Sequence, residues 1–166
     1  MRSDVRIRPA RGSDEKFILA TASRLATFGV PAWRTPDELV ESERRTLRAF
    51  FASPAPGAEL LVAERGTDAT SAHGPQSGGP LGFVYVETQI DYFTLERHGH
   101  IGIIAVDESA EGQGVGRALM DAAAGWARER GFHRLTLNVF QGNARARRLY
   151  ERAGFEPETV RYVRAV

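Results

Sequence analysis

The chain has 166 residues (18.3 kDa), 42% hydrophobic and 26% charged, which is ordinary composition for one globular domain. A chain this long buries about 70% of its extended surface on folding, and it has no cysteine; disorder, collagen-like repeats and a disulfide scaffold are excluded. Its 22 basic residues, with Lys16 the only lysine, face 21 acids for a net charge of +1, a pI near 8.2 and no argument for nucleic acid as the main partner.

Asp4 to Arg8 alternates, with Val5 and Ile7 on one face and Pro9 closing it, and reads as a short strand. Ser13-Asp14 then opens a helical stretch carrying Phe17, Ala20, Arg24 and Leu25, which Phe28-Gly-Val-Pro31 interrupts. Thr35-Pro36-Asp37-Glu38 starts a second helix with a cap, a proline at the first position and acids in the first turn. Its apolar positions run through Leu39, Leu47 and Phe50-Phe51 towards Pro54. Glu59 to Glu64 is a buried strand. Residues 66–80, rich in Gly and Pro and without a large apolar residue, predict a mobile loop rather than a domain boundary. Strands follow at 81–86 and 98–106.

The helix after Gly116 shows Val115, Leu119, Ala122 and Trp126 on one face and is ended by Gly131. Leu135 to Val139 is a strand, Asn143 caps a helix through Ala153, and Thr159 to Val166 alternates as a last strand. The order predicts an α/β domain over 1–166. No apolar run approaches the ~18 residues of a membrane span, and no signal segment precedes the first strand. The protein is therefore expected to be cytoplasmic, without a membrane partner. Its Arg-, Ala- and Gly-rich usage suggests a GC-rich bacterial genome.

Glu111-Gly-Gln-Gly-Val-Gly-Arg117 sits between a strand and a helix. Glycines there permit a tight turn and keep side chains away from the helix mouth. The unpaired N–H groups and the helix dipole make such a turn a site for a phosphate or pyrophosphate. It is neither a Walker A loop, lacking Gly-Lys-Ser/Thr, nor a full G-x-G-x-x-G, and it follows residue 106 rather than the first strand.

Ile104-Ala-Val-Asp-Glu-Ser-Ala-Glu-Gly-Gln-Gly-Val-Gly-Arg-Ala-Leu-Met120 resembles the acetyl-CoA-binding motif of the GNAT superfamily of N-acetyltransferases. Leu135-Thr-Leu-Asn-Val-Phe-Gln-Gly-Asn143 and Ala146-Arg-Arg-Leu-Tyr-Glu-Arg-Ala-Gly-Phe155 resemble its second motif. The resemblance implies a single-domain GNAT-like fold, with a mixed sheet of six to seven strands and about four helices. It also implies acetyl transfer from acetyl-CoA to a primary amine, without a metal. A catalytically silent acyl-CoA-binding regulatory module is the alternative, and dimerisation is a habit of the superfamily.

Carried over by position, Ile104, Ala105 and Val106 hold the pantetheine arm. The backbone of Gly112, Gln113, Gly114, Val115, Gly116 and Arg117 holds the pyrophosphate, and Asn143 contacts the cofactor near its sulfur. Tyr150 is the implied general acid. The residue five before Asn143, a glutamate in some relatives, is Asn138 and cannot act as a base; arylalkylamine relatives place histidines on the fourth strand, and that resemblance implies His100 as base, directly or through water, with His98 or water alone as the alternatives. Simple alternation places both histidines on the face of Gly102 and Ile104. Glu111 stands where the family has Gln or Arg; a carboxylate beside a pyrophosphate predicts weakened cofactor binding unless it points to solvent. Arg145, Arg147, Arg148 and Arg152 form a basic face suited to a phosphate. The acceptor, a small-molecule amine or a protein amine, is expected between the first two helices and the 87–96 connection, near Tyr92, Phe93 and Trp33.

Overall fold

The computed structural model describes residues 5–66 and 78–166, and the loop expected at 66–80 lies largely outside them. Strands β1 (Val5–Pro9), β2 (Ala58–Arg65), β3 (Pro80–Ile90), β4 (Arg97–Val106) and β5 (Leu135–Leu137) form one sheet in that order. Neighbours are antiparallel from β1 to β4. Strand β5 runs parallel to β4 and pairs only with Gly99–Ile101. Helices α1 (Glu15–Thr21) and α2 (Pro36–Ala52) precede β2, while α3 (Val115–Glu129) and α4 (Ala144–Arg152) flank β5 in sequence.

Period-two alternation sends neighbouring residues of the central strands to two cores. Leu61, Val84, Val86 and Ile101 pack with Leu119, Ala123 and Trp126 of α3. Leu60, Val62, Phe83 and Tyr85 pack with Ile18 and Leu47 of α1 and α2. Burial on both faces explains why β2 and β3 read as continuous apolar runs.

The helix ends follow their sequence signals. The Thr35 hydroxyl accepts the Glu38 N–H at 3.2 Å, and the Glu38 carboxylate accepts the Thr35 N–H at 2.7 Å. Gly114 and Gly131 bracket α3 with φ of 82° and 74°. Asp14, by contrast, faces backwards: its carboxylate accepts from the Arg8 guanidinium at 2.7 and 2.9 Å, and Arg8 also donates to Glu64 at 2.6 Å.

Two parts of the expected sheet are corrected, its set of strands and the facing of β4. The sheet has five strands among the described residues rather than six to seven, and Thr159–Val166 forms none. Val160 and Tyr162 supply strand-like alternation, but among the described residues no ladder partner lies beside them, and both are exposed. Strand β5 is also shorter than 135–139, because the chain leaves β4 after Leu137.

The second correction concerns β4. Val86 opposes Ile101 and Tyr85 opposes Ile103, so Gly102 is an extra residue, a β-bulge, and the alternation changes phase across it. Ile103 and Ala105 therefore face α1 and α2, while Ile104 and Val106 face α3. Before the bulge, Ile101 faces α3, so His98 and His100 share the α1–α2 face rather than the face of Ile104.

Candidate active site

Among the described residues the outer edge of β4 has no strand beside it beyond Ile101, and the chain after Leu137 diverges from it. A cleft opens in this splay, with Gly102 and Ile104 on one wall and Asn138 and Phe140 on the other. Asn143 and Tyr150 close it from α4, and Leu25, Phe28, Leu39 and Glu43 line it from the first two helices and their connection. The Phe28 and Phe140 rings stack at 5.4 Å and 29°, joining the helical side to the β5 side.

The expected residues thus divide. Ile104, Asn143 and Tyr150 meet in the cleft. The Asn143 Oδ1 caps α4 by accepting the Ala146 N–H at 3.1 Å. Tyr150 is half-buried, its hydroxyl has no partner among the described residues, and burial pushes its pKa above 10. Ala105 and Val106 turn their side chains into the two cores, leaving only backbone for a ligand.

At the mouth of α3, Gly112 and Gly114 adopt φ of 73° and 82°, with open space around both. The Ala118 N–H is bonded to Gly114 C=O at 3.0 Å, so the amides of Val115, Gly116 and Arg117 precede the helix's own acceptors. The side chains here are otherwise occupied: Val115 is core, Gln113 donates to Ser109 C=O at 2.7 Å, and Arg117 pairs with Asp121 at 3.0 Å. The backbone N–H groups of this turn are therefore available to a pyrophosphate.

Glu111 is not a bare anion. Its carboxylate pairs with Arg145 of α4 at 2.7 Å and with Arg24, and the Arg145 bond is the larger cause holding its pKa below 4.5. The expected basic face therefore loses Arg145 to an internal partner. Arg147 donates to a backbone acceptor, Gln141 C=O at 3.4 Å.

His100 does not line the cleft. It is 6% exposed, its Nδ1 lies 2.8 Å from Thr136 Oγ1, and the same hydroxyl lies 3.1 Å from His98 Nε2. Glu87 sits opposite His100 across the β3–β4 ladder. Desolvation pushes the His100 pKa below 6.5; Glu87 opposes this and His98 reinforces it.

The 87–96 connection does not form the cleft either. Asp91 accepts the Phe93 and Thr94 N–H groups at 2.9 and 2.8 Å and, with Glu96, pairs with Arg134. Tyr92 and Phe93 project into solvent, as does Trp33.

Residues 30–155 match the Acetyltransferase (GNAT) family. The chain belongs to this family. As a GNAT protein it is 35% identical to the mycothiol acetyltransferase of Beutenbergia cavernae over 162 residues, 90% of this chain and 52% of that protein. Over 86 residues it is 36% identical to the Escherichia coli (strain K12) [ribosomal protein bS18]-alanine N-acetyltransferase, covering 52% of this chain and 54% of that one. The chain thus spans about half the length of these curated relatives. The solved structure of a putative acetyl transferase from Pyrococcus furiosus superposes with a TM-score of 0.72 at 22% identity, covering 98% of this chain and 99% of that one.

Two residues in or beside the cleft of this GNAT protein stand outside the sequence expectations. Thr136 looks like an ordinary strand residue until the fold places it between two imidazoles. Glu43 carried a usable signal: Leu39, Glu43 and Leu47 are spaced by four, so an acid interrupts the inward stripe of α2. Among the described residues no group of His, Cys, Asp or Glu is arranged to hold a metal, and no helix is long and apolar enough to cross a membrane.

Proposed function

We propose that this chain transfers the acetyl group of acetyl-CoA to the nitrogen of a primary amine by direct attack on the thioester. The observation that carries this reading is the meeting of Tyr150, Asn143 and the open edge of β4 in one cleft. The residues present fit the nucleotide end of the cosubstrate: the first-turn amides of α3 would receive its pyrophosphate. The backbone of Ile104 to Val106 would run alongside its pantetheine arm, with the Asn143 amide group beside it.

The chain's own groups then manage protons. His100, kept neutral by burial, draws a proton from the acceptor through water, because its ring stands back from the cleft. The freed nitrogen lone pair forms the N–C bond, and a backbone N–H of β4 stabilises the developing oxyanion. As the C–S bond breaks, Tyr150 donates its phenolic proton to the sulfur and recovers one from the nitrogen of the new amide. Burial suits Tyr150 to this task by keeping the phenol protonated.

CoA release from acetyl-CoA in the presence of amines tests the reading. Tyr150→Phe is expected to lower kcat by about 100-fold or more with acetyl-CoA affinity unchanged. Unchanged turnover would remove Tyr150 as the acid. Tight acetyl-CoA binding with no turnover of any amine would favour a silent binding module.

A further inference from the structure

Among the described residues Glu43 is an anion without a counter-ion. It lines the cleft from the inward face of α2, between Leu39 and the fully buried Leu47, and it has no hydrogen bond or ion pair among the described residues. The adjacent Arg44 and, on the facing segment, Arg24 are engaged elsewhere. Arg44 donates to Leu19 C=O at 2.9 Å, and Arg24 is held by Glu111 and Glu108. Among the described residues lining the cleft there is no Lys, Arg or His, so the only formal charge there is negative. Burial alone pushes the Glu43 pKa above 4.5, the mark of a carboxylate that nothing compensates. An unpaired, partly desolvated charge facing a cleft is costly for folding and is a mark of a functional site.

Resting on the acetyl-transfer reading, we propose that Glu43 is the counter-ion of the acceptor's ammonium group and selects a cationic amine carried on an apolar skeleton. Phe28, Phe140, Leu25 and Leu39 supply the apolar and aromatic walls, and a ring face also attracts a cation. An acceptor with a carboxylate or phosphate beside its amine meets Glu43 without a compensating cation and is disfavoured. The contact is a binding contact: it orients the amine before the proton leaves and takes no part in C–S cleavage.

The test uses two probes of one skeleton, phenethylamine (a cation) and phenylalanine (a zwitterion), with CoA-saturated protein for calorimetry and acetyl-CoA for turnover. The wild type is expected to bind phenethylamine more tightly. Glu43→Gln should weaken phenethylamine binding, and raise its KM, by about 10- to 100-fold, with kcat and acetyl-CoA affinity held. Glu43→Leu, which completes the apolar stripe, should raise Tm while abolishing the preference for the cation; this separates recognition from a folding role. The proposal is overturned if the wild type does not favour phenethylamine, if the KM is unmoved in Glu43→Gln, or if kcat alone falls. Amine binding that obeys these expectations without CoA release would overturn the transfer reading and leave Glu43 as the counter-ion.

Discussion

At the scale of single residues, His100 and Tyr150 are both displaced from their solution behaviour by burial, in opposite charge senses. His100 loses protons more readily in the folded state, with its pKa below 6.5. Between that lowered value and 6.5 the unfolded chain binds more protons than the native one, so stability falls as pH drops through this window. Melting curves at pH 7 and pH 5 should show a Tm decrease that is smaller in His100→Gln. An equal decrease in both proteins would mean that the imidazole protonates freely in the fold. Tyr150 and Asn143 were legible in the sequence because they belong to an ordered motif, and the cleft does gather them. The histidine pair was legible as a pair, but its face was not. Period-two counting has no means of registering one unpaired residue at Gly102, whose cause lies in the pairing with β3.

At the scale of elements, α3 and its preceding loop matched their sequence signals closely, since glycines, a cap position and an apolar stripe are local properties. Gly114→Ala forces a side chain into the left-handed region at φ 82°, a strain of about 1–2 kcal/mol. It should lower Tm and weaken acetyl-CoA binding together. Glu111 illustrates what locality hides. Its sign is readable in the sequence, but the two arginines that neutralise it come from residue 24 and residue 145. Since those cations sit beside the phosphate cradle, Glu111→Gln should free them and tighten acetyl-CoA binding at low ionic strength, less so at high salt. Weaker binding of the variant in calorimetry would show that the pairing holds the loop in shape instead. The strand expected at 159–166 is the complementary case: alternation was present, but a strand exists only with a neighbour.

At the scale of the whole molecule, the sheet separates two cores, and Phe83 at its centre is fully buried on the α1–α2 side. Phe83→Ala should cost about 3–5 kcal/mol by chemical denaturation, with the cleft residues untouched. A similar loss is expected from Arg8→Ala, about 3–5 kcal/mol, because Arg8 ties β1, β2 and the first turn together and its removal leaves the buried Asp14 without an ion pair and Glu64 with only Arg6 at 4.0 Å. Arg8 also holds the Asp14 pKa below 3.8, so its contribution is present above that pH and is lost as acid protonates Asp14.

The bulge at Gly102 gives β4 a division of labour. One half of the strand offers its histidines to the side from which α1 and α2 approach, and the other half offers its isoleucine and valine to the side of α3. Deleting Gly102 would splice the two halves into one regular ribbon. Ile101 and Ile103 would then be neighbours opposite Val86 and Tyr85, and every side chain of β4 would keep its present face. Gly102 is thus a place where this strand already absorbs one residue, whereas an insertion or deletion elsewhere in the ladder would exchange the two faces of everything beyond it.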